Sequence, residues 1–140
     1  VPWANCNPAA HGTGHGVGHL LSVHEGPASI SKRGSVAIED GMVLSNEPGY
    51  YLPDQYGIRL ENLVVACPAS DPGFLCFETL TLCPFDRRLI RAELLSAIER
   101  QWVDDYHQKV LAELTPFLPE TCQTWLAAAC APLQVAVKTR

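Results

Sequence analysis

Histidines and glutamates able to hold a divalent cation or move a proton recur in four short segments between His11 and Asn62. The segments read His11-Gly-Thr-Gly-His15-Gly-Val-Gly18, Val23-His24-Glu25-Gly-Pro27, Asn46-Glu47-Pro-Gly-Tyr-Tyr51 and Gly57-Ile-Arg59-Leu-Glu61-Asn62. Imidazole combined with carboxylates suits divalent zinc, manganese or cobalt. His11 and His15 stand four apart, as in helical zinc motifs. The glycines at 12, 14, 16 and 18 argue against a helix, since each costs about 1 kcal/mol there. An extended run fits better, with glycine letting the backbone approach a ligand closely. A glycine-rich structural loop with incidental histidines is the alternative.

Glu47 precedes Pro48, which holds it extended. Glu61 shares a strand face with Arg59. An exposed polar pair on a half-solvated strand is one reading of these two. Flanking Leu and Val predict burial instead, and a buried carboxylate needs a cation or a metal. Glu25, Glu39 and Glu78 are expected in turns or on sheet surface, His107 on a helix surface, and His19 packed or hydrogen-bonded.

The elements that must position these groups change character along the chain. Strands are expected over His19–His24, Met42–Asn46, Gly57–Ala66 and Leu75–Cys83, with turn residues between them. Short turns favour antiparallel neighbours. After Asp86, Leu94, Ile98, Trp102, Tyr106, Val110 and Leu114 recur every four residues and predict one long amphipathic helix, stopped by Pro116. A second helix opens at Pro119, with Trp125 and Leu126 inward, and ends near Pro132. The fold class expected is α+β.

A chain of 140 residues can bury one core. A net charge of -5 argues against non-specific nucleic-acid binding. No apolar run reaches the roughly 20 residues of a membrane span. No basic segment precedes an apolar stretch, so no signal peptide is expected. The opening Val1-Pro2-Trp3 reads as a processed or truncated piece. Six cysteines without a CxxC pair predict a reduced, cytoplasmic protein in which they act as small hydrophobes.

Taken together and in this order, HGTGHGVG, VHEGP, NEPGYY and GIRLEN resemble the C-terminal part of the Xaa-Pro aminopeptidase (aminopeptidase P) family of pita-bread metallopeptidases. The likeness extends through FETLTLCPF to the helical tail with Trp102, Tyr106-His107 and Trp125-Leu126. It implies a partial pita-bread fold over residues 1–88 and a C-terminal helical extension over 89–140. It implies His15, Glu47 and Glu61 as metal ligands, Glu47 also as general base and Glu61 bridging two metals. His24 would donate to the substrate carbonyl, and His11 would line the pocket for the proline ring. Arg59 would hold the carboxylates in place, with Tyr51 near the site. The intact family site carries two divalent ions, manganese before zinc or cobalt. Its substrates are peptides with proline second, and its C-terminal region contributes to a homodimer.

The family also uses two aspartates from strands before the histidine segment. Only ten residues precede His11 here, and none is acidic. The expectation is therefore an incomplete metal site and a chain inactive by itself. The alternatives are a non-catalytic pita-bread module that binds peptides or proteins, and a prolidase.

Overall fold

The computed structural model describes residues 12–20 and 22–134. Gly14–His15 (β1) and Ser29–Ile30 (β2) pair antiparallel. Val43–Asn46 (β3) pairs with Asn62–Pro68 (β6), and Gly49–Leu52 (β4) with Tyr56–Arg59 (β5). Leu75–Thr79 (β7) joins the free side of β6, giving the order β3-β6-β7. The helices Ala97–Leu114 (α1) and Glu120–Ala129 (α2) follow. Every strand pair among the described residues is antiparallel, and strands and helices are segregated along the chain, as an α+β fold requires. The chain divides into two compact units, one closing at Thr81 and the other opening at Leu82.

In the strand unit, one register runs through both arms of a long hairpin. Asn46 faces Asn62 and Gly49 faces Arg59, so the same register sets Glu47 opposite Glu61. The single strand expected over Gly57–Ala66 keeps that register but is split into β5 and β6. Pro48 is the reason. Leu60 N–H donates to the Pro48 carbonyl at 3.2 Å, and proline has no N–H with which to complete the rung. Alternation along the strands sorts the hairpin into two faces. One buries Leu44, Asn62, Val64 and Ala66. Leu44 and Val64 meet Ala28 there, with Ile30, Ile38 and Met42 packed around them. Burying Leu44 and Val64 contributes about 1.5–3 kcal/mol each. The other face carries Ser45, Glu47, Tyr51, Arg59 and Glu61.

Two expected strands are corrected. Residues 19, 20, 23 and 24 lie in bends, and His19 is exposed rather than packed. Gly18 N–H donates to Ser22 O at 2.8 Å and Glu25 N–H to Gly16 O at 2.9 Å, so these backbone groups close a loop instead of meeting a ladder. The strand expected to reach Cys83 ends at Thr79: Leu80 N–H still donates to Leu63 O at 2.9 Å, but Leu63 N–H donates to the Thr81 side chain at 2.8 Å instead of to a backbone carbonyl.

In the helical unit, Ser96 and Glu99 start α1 with reciprocal bonds. Glu99 N–H donates to Ser96 Oγ at 3.2 Å, and Ser96 N–H to Glu99 Oε2 at 2.8 Å. The helix ends at Leu114, two residues before Pro116. Tyr106, Val110, Leu126 and Cys130 form the core, joined by Leu82, Phe85, Leu111, Leu114 and Leu118. The expected inward stripe is only half buried: Leu94, Ile98 and Trp102 are exposed. Leu126 is inward as expected, but Trp125 beside it is exposed.

Candidate functional site

Glycine brings β1 against β3. A Cβ on Gly14 would lie 1.9 Å from the Ser45 carbonyl oxygen, so no larger residue fits without parting the strands. Next to it, Glu47 N–H donates to Thr13 O at 2.7 Å. His15 and Glu47, 32 positions apart in sequence, are thereby brought into contact: His15 Nε2 lies 2.9 Å from Glu47 Oε1. His15 Nδ1 is 2.9 Å from the Gly16 carbonyl. A carbonyl only accepts, so Nδ1 carries the proton and Nε2 is the atom turned to the carboxylate. Without a proton or cation between them, Nε2 and Oε1 would face each other as two lone pairs. That donor set fits a divalent cation, with the outer ring nitrogen fixed by a carbonyl as in imidazole–metal sites.

Glu47 is the buried carboxylate. Its side chain is 10% exposed, against 44% for Glu61 and 48% for Arg59. The expected burial of the Arg59–Glu61 pair is thus corrected: β5 is exposed throughout, and burial falls on the opposite strand, where β1 covers Glu47. Two carboxylates facing each other across a pair of strands repel. Arg59 answers that repulsion, with Nη1 3.3 Å from Glu47 Oε2 and 4.0 Å from Glu61 Oε2. Arg59 Nε donates to Tyr51 Oη at 2.9 Å. This hydrogen bond first, then the charges of Glu47 and Glu61, hold the guanidinium above its ordinary pKa. The Tyr51 ring lies over the facing Gly57, where a Cβ would come within 2.6 Å of it. Small residues at 49 and 57 therefore let the ring lie flat and reach Arg59.

His24, exposed on its loop, comes to the same place: its ring centroid is 4.1 Å from that of His15. His11 lies outside the described residues. Among the described residues, no three His, Cys, Asp or Glu side chains are gathered into a metal cluster. His15 and Glu47 touch, while Glu61 faces Glu47 from across the broken rung.

Two residues escaped the sequence reading. Ser45, fully buried, accepts from His15 N–H at 3.1 Å and donates to Glu47 Oε1 at 3.0 Å. Its signal was position alone, two residues before Glu47 on the same strand face. His107, expected on a surface, is fully buried in the helical unit, where its Nε2 accepts from Phe85 N–H at 3.0 Å.

Known proteins of one kind match this arrangement. Residues 3–67 match the family model for metallopeptidase family M24, and residues 73–133 the model for the C-terminal region of peptidase M24. A probable Xaa-Pro aminopeptidase P of Coprinopsis cinerea is 44% identical over 94% of this chain and 23% of its own length. Aminopeptidase P2 of Arabidopsis thaliana is 44% identical over 83% of this chain and 18% of its own. The X-prolyl aminopeptidase of Caenorhabditis elegans, described as a cytosolic enzyme with a di-nuclear active site, superposes with a TM-score of 0.77 at 40% identity. That match covers 87% of this chain and 21% of the worm enzyme. The chain spans about a fifth of the length of the curated relatives it matches. With both family models matched and the fold shared with the worm enzyme, the chain belongs to metallopeptidase family M24, as a C-terminal part of its pita-bread fold.

Proposed function

We propose that this chain carries the histidine and glutamate portion of a metal-dependent aminopeptidase site, one that releases the N-terminal residue from peptides with proline second. The observation that supports it most is Glu47, a buried carboxylate held between His15 Nε2 and the Arg59 guanidinium, with Glu61 facing it. His15, Glu47 and Glu61 would hold divalent ions, manganese in preference to zinc or cobalt because carboxylates outnumber imidazole. Such ions, when bound, lower the pKa of water and polarise a carbonyl. Glu47 is the base that takes a proton, and His24, its ring tilted against that of His15, is the donor toward the substrate carbonyl. His11 lines the proline pocket. Arg59 and Tyr51 fix the orientation of Glu47. A cytoplasmic setting agrees with the free thiols and with the cytosolic worm relative. A second copy is the partner we assign to the exposed apolar side chains of the helical unit.

The test is hydrolysis of an Xaa-Pro peptide. In any longer protein carrying these residues, Glu47→Gln should lower turnover by about 10²–10⁴-fold, the range of a lost general base. Unchanged turnover would sink the assignment. The 140 residues by themselves are expected to be inactive with added manganese, since no three donors are gathered among the described residues. Robust hydrolysis by them would overturn that expectation.

The same dispersal of donors supports a second reading, a peptide-binding module without catalysis, in which Arg59 alone neutralises the two glutamates. Calorimetric titration with manganese separates the readings. Binding weakened at least tenfold by Glu61→Ala supports the metal site. Binding unaffected by that change supports the module.

A further inference from the structure

Outside the site just described, the two strands of the β6–β7 hairpin bring together cysteines that are nine residues apart. Cys67 and Cys76 are directly opposed in register, and their Sγ atoms lie 3.3 Å apart. Cys76 is exposed and Cys67 half-buried, and both are free thiols. The backbone around them is fixed: Ala69 N–H donates to Phe74 O at 3.0 Å beyond the pair, and Leu80 N–H to Leu63 O at 2.9 Å before it. Facing residues of an antiparallel pair stand about 4.5–5.5 Å apart at Cα. Disulfides span about 4.4–6.8 Å. No backbone movement is needed to join these sulfurs, only side-chain rotation that closes 3.3 Å to about 2.05 Å.

We propose that Cys67 and Cys76 form a reversible thiol–disulfide site, oxidised by peroxides, that locks β6 to β7. The Cys76 thiolate attacks one oxygen of hydrogen peroxide, breaking the O–O bond, and becomes a sulfenic acid; hydroxide leaves and takes up a proton as water. The Cys67 sulfur then attacks the Cys76 sulfur, the S–O bond breaks, and a second water leaves. Two thiols and one peroxide thus yield one disulfide and two waters. Exposure assigns the first step to Cys76 and the resolving step to Cys67. The Cys67 thiol titrates above its ordinary value, through its hydrogen bond to Cys76, then partial burial, then the charges of Glu78 and Asp40. In a reducing compartment, disulfides of this kind are transient and redox-sensing.

The lock acts on the strand that follows Glu61. β6 lies between β3 and β7 in its sheet, so fixing it to β7 also fixes its pairing with β3. Intact-mass measurement of the 140-residue chain, treated with hydrogen peroxide and then alkylated, tests the proposal. The expected product is a monomer that takes up two fewer alkyl groups than the reduced chain, with Cys67 and Cys76 joined in one peptide pair and restored by dithiothreitol. Cys67→Ser should instead accumulate a Cys76 sulfenic acid trapped by dimedone. Hydrogen exchange of the β6 and β7 amides should slow at least several-fold on oxidation. Both thiols remaining alkylatable, separate sulfinic acids with no cross-link, or a cross-link only between two chains would each overturn the site. Unchanged exchange in the cross-linked chain would overturn the lock.

Discussion

Ser45 has one hydroxyl proton and gives it to Glu47, while its oxygen receives the His15 N–H. It therefore sets both the depth of the imidazole and the rotation of the carboxylate. Ser45→Ala leaves a buried N–H and a buried carboxylate oxygen each short of a partner, a loss of about 1–3 kcal/mol. Urea unfolding of the 140-residue chain should show that loss, and Ser45→Thr, which keeps the hydroxyl, should recover part of it. At this scale the metal-capable residues were legible, because imidazole and carboxylate are chemically distinctive. Ser45 was not. A small hydroxyl carries no signal of its own, and its importance arises only when Gly14 lets β1 approach within contact distance.

Helix α1 shows why period counting misleads over length. A residue every four positions drifts about 40° per step around a helix of 3.6 residues per turn. Ile98 and Trp102 are turned away from the core that Tyr106 and Val110 reach, and Leu94 stands before the helix begins. The buried set is Val103, Tyr106, His107 and Val110, spaced three, one and three apart, and His107 falls within it. Charge-bearing residue type was read as surface; spacing would have placed it inside. Among the described residues the Nδ1 of His107 finds no hydrogen-bond partner. Burial pushes the His107 pKa down, with Asp104 opposing and Arg87 adding to the shift. The folded value lies below the unfolded value of about 6.5. Below that pH the unfolded chain takes up more protons, so stability is full above about 6.5 and falls as pH drops through the window down to the folded pKa. Thermal melts should show this decline between neutral and acid pH, and His107→Gln, which can still accept from Phe85, should flatten it.

The second helix depends on one side chain from outside it. Arg87 donates from Nε to Ala129 O at 3.1 Å, from Nη2 to Ala128 O at 2.6 Å and from Nη1 to Pro132 O at 3.2 Å. A guanidinium there satisfies carbonyls that a helix end leaves open and complements the negative end of its dipole. Arg87→Ala should cost about 1–3 kcal/mol, since three charge-assisted bonds are lost partly to solvent. Lysine, with no planar fork, should restore less than half in the same denaturation assay.

At the scale of the molecule, the net charge argues against non-specific nucleic-acid binding, and among the described residues no helix is long and apolar enough to cross a membrane. Which apolar groups stay outside was not legible. Leu89, Leu94, Ile98, Trp102, Phe117 and Trp125 are all exposed in the helical unit. With a second copy as their cover, sedimentation should give a concentration-dependent dimer, and Ile98→Glu with Trp102→Glu should return it to monomer; a strict monomer at high concentration would remove that partner. Among the described residues, the strand unit holds three small sheets, of two, three and two strands. His15 belongs to the first, Glu47 follows the second, and Tyr51 and Arg59 stand on the third. The bonds that assemble the site are thus also the clasps between sheets. A ligand settling there shifts the folding equilibrium of all three at once by mass action. Chemistry and architecture are in consequence inseparable under mutation: a change that empties this junction registers as a folding defect before it registers as a lost activity.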